Sequence, residues 1–220
     1  MSSLQYDLHM HTLLSDGEML PIELVRRVSV LGYTTIAISD HADSSNITEL
    51  LTAVRRIQDS SEEFGVHLLC GVELTHVPPS LIPVLAHQAK QEGADIVVVH
   101  GETVVEPVAP GTNRVACRCR DVDILAHPGL IDEGDAQAAA ENGVALEITS
   151  RAGHNRTNGH VVNSGRDAGC IIVVNSDAHA PHDLLDRNDR LMIARGAGMT
   201  EPETENSLSL NINRWLSKKR

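Results

Sequence analysis

Two histidines, His9 and His11, are separated by a single residue in the sequence. Because side chains alternate between the two faces of a β-strand, both imidazoles would project from one face and could bind one metal ion. Asp16 and Gly17 follow, and they predict a turn in which Asp16 is free to add an oxygen ligand. Residues 7–17 therefore predict a metal site, against the alternative that the two histidines only share a half-polar strand face.

Further side chains able to bind a metal recur directly after predicted buried strands. The β-branched residues 34–39 are followed by Asp40 and His41, and the apolar residues 171–175 precede Asp177. A run that is apolar throughout is typical of a strand buried on both faces of a parallel sheet. The side chains of this kind that we place at strand ends are His41, Glu73, His100, His127, Asp177 and His179.

An alternation of strands and helices must position these side chains. Predicted strands cover residues 7–12, 34–39, 66–74, 95–99, 122–126, 144–149 and 171–175. Predicted helices cover residues 21–31, 47–64, 81–92, 113–120, 136–142, 158–168, 189–196 and 203–219. The helices follow from apolar residues at helical spacing and from glycines that end them.

A strand followed by a helix, repeated about seven times, gives parallel strands with right-handed crossovers. Both a closed βα barrel and an open doubly wound sheet fit this order. In an open sheet the six side chains would lie along a line tens of ångströms long, because neighbouring strands are about 4.8 Å apart. In a barrel they converge on one mouth, and a shared metal site therefore favours the barrel.

Composition and charge restrict the possible partners. The 220 residues suit one domain, residues 1–220, and 41% hydrophobic residues are enough to bury a core. The formal net charge of −12 disfavours duplex nucleic acid and anionic membranes, since both are polyanions. Bound divalent cations would reverse this locally and could still attract an anionic substrate.

The four cysteines and the N-terminus predict a compartment. Cys70, Cys117, Cys119 and Cys170 form no paired metal-binding motif, so we expect reduced thiols. There is no apolar run of membrane-spanning length and no basic, apolar leader. We therefore expect a soluble, cytoplasmic protein.

Several short motifs, taken in order, resemble those of the PHP family, the polymerase and histidinol phosphatase domain. The resemblance spans residues 7–179. It is carried by His9-Met10-His11, Ser15-Asp16-Gly17, Ser39-Asp40-His41, Gly71-Val72-Glu73, His100-Gly101, Ala126-His127-Pro128 and Ser176-Asp177-Ala178-His179.

The resemblance implies an α/β fold, a distorted (β/α)7 TIM-like barrel, with three divalent metal ions at the C-terminal ends of the strands. It assigns His9, His11, Glu73 and Asp177 to the first ion. Glu73 would bridge to a second ion held also by His100 and His127, and Asp16, His41 and His179 would hold the third. Imidazole and carboxylate ligands suit zinc, manganese or iron.

The expected chemistry is hydrolysis of a phosphate ester by a metal-bound hydroxide, because neighbouring divalent ions acidify water and neutralise phosphate oxygens. Arg151 and Arg156 follow a predicted strand and could bind phosphate, or could be solvated loop residues. The candidates for a general acid, or for a residue that orients a ligand, are Asp40, Glu102, His154 and His182. Histidines outside any motif are interpreted as surface side chains, or as helix and strand side chains whose hydrogen bonds are satisfied: His67, His76, His87 and His160.

Three hypotheses about function remain. We favour a phosphomonoesterase acting on a small phosphorylated metabolite, such as histidinol phosphate or a nucleotide. A phosphodiesterase or 3′–5′ exonuclease acting on single-stranded oligonucleotides is the neighbouring alternative, but the acidic balance and the 2% aromatic content disfavour it. The third is a catalytically inactive binding domain of the same fold. Such a domain is expected to have lost some metal ligands, whereas every ligand position mapped here carries a side chain that can bind a metal.

Overall fold

The computed structural model describes residues 5–219, with side chains up to residue 217. Eight strands alternate with helices along this part of the chain. They are β1 (Tyr6–Asp7), β2 (Thr35–Ile38), β3 (His41–Ala42), β4 (His67–Leu74), β5 (Ile96–His100), β6 (Ile124–Ala126), β7 (Ala145–Thr149) and β8 (Ile172–Asn175).

Every ladder between these strands is parallel, and the spatial order is β1-β2-β4-β5-β6-β7-β8. The short strand β3 also pairs with β4, so β2 and β3 are two parts of one line interrupted at Ser39 and Asp40. The result is a nearly closed barrel of seven parallel strands surrounded by helices. The predicted TIM-like barrel is confirmed.

Ten α-helices lie within the described residues. They are α1 (Pro21–Val30), α2 (Ile47–Arg55), α3 (Gln58–Glu63), α4 (Ile82–Gln91), α5 (Thr112–Ala116), α6 (Glu133–Asn142), α7 (Asn158–Ala168), α8 (Arg187–Gly196), α9 (Glu201–Leu208) and α10 (Ile212–Lys219).

Two predicted helices are each divided in the structure. The helix predicted over residues 47–64 is α2 and α3, because the chain makes a tight turn at which the Ile57 amide donates to the Val54 carbonyl. The helix predicted over residues 203–219 is α9 and α10, and the Asn211 side chain accepts from the Arg214 amide at the start of the second. Local hydrogen bonding therefore overrode the continuous helical spacing.

The first strand is much shorter than predicted, because side chains replace part of the ladder between β1 and β8. The Asp7 carboxylate accepts from the Ser176 amide at 3.0 Å, and the Asn175 side chain accepts from the Leu8 amide at 3.0 Å. Beyond them the Asp177 amide donates to the His9 carbonyl, and Met10 and Ala178 form an isolated parallel bridge. This seam closes the barrel beside the predicted metal ligands.

The interior of the barrel is apolar at one end and polar at the other. Ile96 and Val98 of β5 point into the interior core, and the next residue of the same alternation is His100. The apolar end is closed by α10, whose Trp215 and Leu216 belong to the same interior core. A second cluster lies between the strands and the outer helices. The predicted metal ligands thus lie at the C-terminal mouth.

Within residues 5–219, no helix has both the length and the apolar character required to cross a bilayer.

Candidate metal centre

A cleft of about 420 Å³ opens at the C-terminal ends of the strands. Its lining includes all six side chains that the sequence places at strand ends: His41, Glu73, His100, His127, Asp177 and His179. Since β3, β4, β5 and the segments after β6 and β8 supply these groups, the barrel brings together residues far apart in sequence.

Glu73 lies at the centre of the cluster. Its alternation with Leu69 and Gly71 along β4 directs it into the barrel, where it is fully buried. Its Oε1 lies 3.2 Å from His9 Nε2 and 3.8 Å from His127 Nε2, and its Oε2 lies 2.8 Å from His41 Nδ1. A carboxylate with different histidines at each oxygen is placed to bridge two cations. Here His9 and His127 share one oxygen, and the other oxygen faces His41, which the resemblance assigns to the third ion.

Asp177 is the second buried carboxylate. Its Oδ1 lies 3.3 Å from His11 Nε2 and 3.7 Å from His9 Nε2, and its Oδ2 lies 3.6 Å from His127 Nε2. Asp177 and His127 both have left-handed backbones, with φ of 53° and 28°. Such conformations cost of order 1–3 kcal/mol in a non-glycine residue, and they concentrate at functional sites.

A third group surrounds Asp16. Its carboxylate lies 3.2 Å from His179 Nε2, 3.4 Å from His41 Nε2 and 3.9 Å from His11 Nδ1. One ligand atom from each of these four side chains lies within 4.8 Å of the others. The three residues assigned to the third ion are therefore gathered, and His11 lies beside them.

The turn that carries Asp16 is held in place by Asp40. The Asp40 carboxylate accepts from the Thr12 amide and hydroxyl, both at 2.7 Å, and from the Ser15 hydroxyl at 2.6 Å. Gly17 packs so closely against the His11 carbonyl that a Cβ atom would collide with it. Asp40 is buried and does not line the cleft, so its place in the structure is that of a positioning residue and not of a general acid.

Several buried polar atoms in the cluster make no hydrogen bond of acceptable geometry, although His9 Nε2 and Glu73 Oε1 lie 3.2 Å apart. They are His9 Nε2, both ring nitrogens of His11, Glu73 Oε1 and His127 Nδ1. Leaving a buried polar atom unsatisfied costs of order 1–3 kcal/mol, and such atoms are rare in folded proteins. Lone pairs of imidazole and carboxylate directed at common points are the donor set of a divalent cation, so the residues fit a metal centre.

The cluster is strongly coupled electrostatically. Burial alone would lower the pKa of His41, but its hydrogen bonds to Asp16 and Glu73 raise the pKa to about 10. Burial alone would raise the pKa of Glu73, but the charge of His9 and the hydrogen bond from His41 hold it well below the usual value. Burial, with the charge of His100, lowers the pKa of His127. In the metal-free protein, protons on part of the histidines thus balance the buried carboxylates.

Sequence reasoning missed the residue that orients His9. Glu147 of β7 is fully buried, and its Oε2 lies 2.8 Å from His9 Nδ1. The Asn175 side chain donates to the same oxygen at 2.8 Å. A carboxylate on one ring nitrogen fixes the tautomer and leaves the other nitrogen for a metal. The signal was a polar residue within the apolar run 145–149, at a position that faces the interior.

A second group of missed residues lies at the mouth. The carboxylate of Glu106 lies 3.2 Å from the Nε2 atoms of His76, His100 and His154. His76 is exposed and hydrogen-bonded to Glu106, as the sequence interpretation has it, but its side chain also lines the cleft. Neither Glu106 nor His76 belongs to a motif, so only the fold brings them to the mouth.

The remaining candidates separate into two sets. Arg151 and His154 line the cleft. By contrast, Glu102 accepts from the amides that begin α5, and Arg156 and His182 are exposed outside the cleft lining. The structure therefore does not place Glu102, Arg156 or His182 with the predicted ligands.

The other three histidines outside the motifs lie away from the cleft, as interpreted. His67 is exposed at the first position of β4. His87 is exposed and lies 3.0 Å from Asp121, and His160 contacts the Ile131 carbonyl at 2.7 Å.

Comparison with known proteins identifies similar chains. A sequence model of the family described as RNase P subunit p30 matches residues 5–220. An uncharacterised protein of Methanocaldococcus jannaschii is 50% identical over 207 residues, which cover 93% of this chain and 95% of that protein. Ribonuclease P protein component 3 of Methanosarcina mazei is 30% identical, covering 98% of this chain and 90% of that protein.

Among solved structures, the fold is similar to histidinol phosphate phosphatase of Lactococcus lactis, which was crystallised with zinc, L-histidinol and phosphate. The TM-score is 0.59 at 16% identity, covering 89% of this chain and 94% of that chain. At this identity the likeness concerns the fold.

Proposed function

The chain belongs to the RNase P subunit p30 family, which is PHP-like, and on that premise we propose that it is a metal-dependent phosphoesterase. The resemblance to the PHP family is confirmed, since solved structures with a similar fold include PHP-domain phosphoesterases. The observation that carries the proposal is the convergence of partnerless, buried imidazole and carboxylate atoms at the barrel mouth.

The side chains at the mouth have distinct tasks in this proposal. His9, His11, Glu73, Asp177, His100, His127, Asp16, His41 and His179 would hold the divalent ions. Ions bound there would supply an activated water and would neutralise developing negative charge on phosphate oxygens. Arg151 lines the same cleft, and its guanidinium would donate two parallel hydrogen bonds to a phosphate bound there and orient it.

A small monoester is the substrate class that the cleft favours. A volume of about 420 Å³ suits a ligand of metabolite size. Arg151 is the one arginine or lysine in its lining within the described residues, and Asp16, Asp43, Glu73, Glu106 and Asp177 line it as carboxylates. A longer polyanion would require several cationic contacts along its backbone. We therefore propose a phosphomonoesterase acting on a small phosphorylated metabolite or a nucleotide.

Hydrolysis of a phosphodiester in single-stranded RNA is the second candidate. It is favoured by the family itself and by the 30% identity to a protein named as a component of ribonuclease P. Against it stand the net charge of −12 and the scarcity of aromatic side chains on which bases could stack. A binding domain without catalysis would have no need of the complete ligand set, so we place it third.

The proposal is tested by metal analysis and phosphate release on one preparation. We expect about three zinc, manganese or iron ions per chain. We also expect phosphate release from histidinol phosphate or nucleoside monophosphates that chelation abolishes and added metal restores. His9→Ala should lose metal and turnover together, whereas the exposed Glu63→Gln on α3 should match the parent protein.

The substrate ranking is tested by adding a single-stranded oligoribonucleotide to the same assays. Release of nucleotides from that oligomer faster than phosphate from any monoester would replace the first candidate by the second. A chain that neither binds these metals nor cleaves any phosphoester would overturn the proposal and leave a binding domain.

A further inference from the structure

Glu106 occupies an unusual position at the tip of the loop between β5 and α5. Its neighbours Val104 and Val105 are 47% and 37% exposed, whereas the Glu106 carboxylate turns into the cleft. The Glu106 side chain is itself 37% exposed, so its carboxylate lies at the rim of the cleft, where three imidazoles contact it.

The base of this loop is anchored, and its tip therefore projects in a defined direction. The Glu102 amide donates to the Asn113 side chain, whose amide group donates in turn to the Pro128 carbonyl. Gly129 lies so close to the Glu102 carbonyl that a Cβ atom would collide with it. Val105 packs against the backbone of Gly153 on the opposite side.

Two histidines orient the Glu106 carboxylate from its sides. Oε1 lies 3.2 Å from His154 Nε2, and the Nδ1 of His154 lies 2.8 Å from the Thr103 hydroxyl. Oε2 lies 3.2 Å from His76 Nε2. His76 adopts a left-handed backbone with φ of 52°, which places its imidazole at the mouth. A Thr103 hydroxyl that donates to Nδ1 leaves Nε2–H of His154 to donate to Glu106.

The contact with His100 is of a different kind. His100 Nδ1 lies 3.2 Å from the Gly101 carbonyl, which only accepts, so this nitrogen carries the proton. The Nε2 of neutral His100 is then a lone pair, and it faces Glu106 Oε2 at 3.2 Å. Two acceptors do not attract each other, and a positive charge between them is needed to hold them at this distance.

The spacing fits a shared cation. Two atoms that each lie about 2.1 Å from one ion are about 3.0–3.4 Å apart at octahedral or tetrahedral angles. We propose that Glu106 is a further ligand of the second metal ion, on the side of His100, and that His76 and His154 position it. This inference rests on the proposed metal centre, and it adds a carboxylate from a loop to ligands that come from strand ends.

The loop should then respond to metal as well as bind it. When the ion is present, Glu106 connects the loop tip to the barrel, and amide exchange in residues 103–108 slows. Without the ion, the tip keeps the hydrogen bonds from His76 and His154 and the packing of Val105 on Gly153, but it loses its link to His100. The loop would thus close one side of the cleft when the second ion is bound.

The test compares the parent protein with Glu106→Gln, and uses Glu63→Gln as a matched control on the outer surface. Manganese alone is titrated into each metal-free protein, and the bound ions and their affinities are measured together with hydrogen exchange of residues 103–108. We expect one ion of the set to bind at least about tenfold more weakly in Glu106→Gln, with the others unchanged. Metal should slow loop exchange in the parent and in the control only.

Equal manganese affinities in Glu106→Gln and the parent protein would overturn the inference. A proton on His100 Nε2, and not a metal ion, would then hold His100 and Glu106 together. If the metal-free parent protein bound no manganese at all, the proposed function itself would be overturned instead. His76→Ala provides a second comparison. It keeps the Glu106 carboxylate, so a smaller loss than in Glu106→Gln is expected, and a larger loss would make His76 the ligand and overturn the assignment.

Discussion

The Nδ1 atom of His9 lies 2.8 Å from Oε2 of Glu147, and both side chains are completely buried. His9 comes from the segment after β1 and Glu147 from β7, so the contact spans the barrel interior. The Glu147 carboxyl group on Nδ1 directs Nε2 of His9 toward Glu73 and Asp177.

Replacing Glu147 by Gln should weaken metal binding although Glu147 is not among the proposed ligands. The neutral amide keeps the shape but holds the His9 tautomer less firmly, and we expect the ion held by His9 to bind about 10–100-fold more weakly. Equilibrium dialysis of Glu147→Gln and the parent protein against zinc measures this. Unchanged affinity would show that Glu147 only fills the interior.

Metal binding at pH 7.5 should release protons. Hydrogen bonds to Asp16 and Glu73 raise the pKa of His41 to about 10 against the effect of burial, so metal-free His41 is protonated at this pH. Ions bind the neutral imidazole, and we expect release of about one proton or more per chain. Calorimetric titration in two buffers of different ionisation enthalpy measures it, and identical heats in both buffers would contradict the prediction.

The stability of the metal-free protein should depend on pH through His41. Its folded pKa of about 10 exceeds its ordinary value of 6.5, so the folded state binds this proton more tightly. The stabilisation of the folded state by protonated His41 is complete below pH 6.5 and is lost as the pH rises toward 10. In chelator, the difference in denaturation midpoint between the parent protein and His41→Gln should be largest below pH 6.5 and vanish near pH 10. A difference independent of pH would refute this.

Arg151 should matter for substrate binding through its planar guanidinium. Its Nη1 lies 3.5 Å from Asp183 at the cleft, with 32% of the side chain exposed. We expect Arg151→Lys to raise the KM for a phosphomonoester by about 10–100-fold, the equivalent of about 1.5–3 kcal/mol in hydrogen bonds to a charged group. The exposed Arg156, replaced by Ala, should change KM far less. Steady-state kinetics measure both KM values. A larger increase in KM for Arg156→Ala than for Arg151→Lys would assign phosphate binding to Arg156.

The floor of the barrel should contribute to stability independently of the metal centre. Trp215 of α10 is 5% exposed and packs in the interior core with Leu216. We expect Trp215→Ala to lower the free energy of unfolding by about 3–5 kcal/mol. The exposed Arg214→Ala on the same helix should lie within about 0.5 kcal/mol of the parent protein. Denaturant unfolding followed by circular dichroism compares them, and equal midpoints would show that α10 does not close the core.

The sequence predicted the number and order of the strands well, but it predicted the ends of strands and helices less well. Seven parallel strands followed from short apolar runs. Five of them, β2, β4, β5, β7 and β8, begin one residue later than predicted, and β6 begins two residues later. The ends of β1 and of the two divided helices depended on individual hydrogen bonds. Examples are those that the Leu8 amide donates to the Asn175 side chain and the Arg214 amide donates to the Asn211 side chain. Spacing of apolar residues does not contain that information.

The sequence by itself determined the alternation of strands and helices, the polar residues at strand ends and the family that they indicate. Those features are local, since each depends on residue types within a few positions of one another. The tertiary structure decided which groups share the mouth: it placed Glu106, His76 and Glu147 beside the predicted ligands and kept Glu102, Arg156 and His182 away. Closure of the barrel sets these distances, and closure depends on contacts between residues more than one hundred positions apart, such as Asp7 and Ser176.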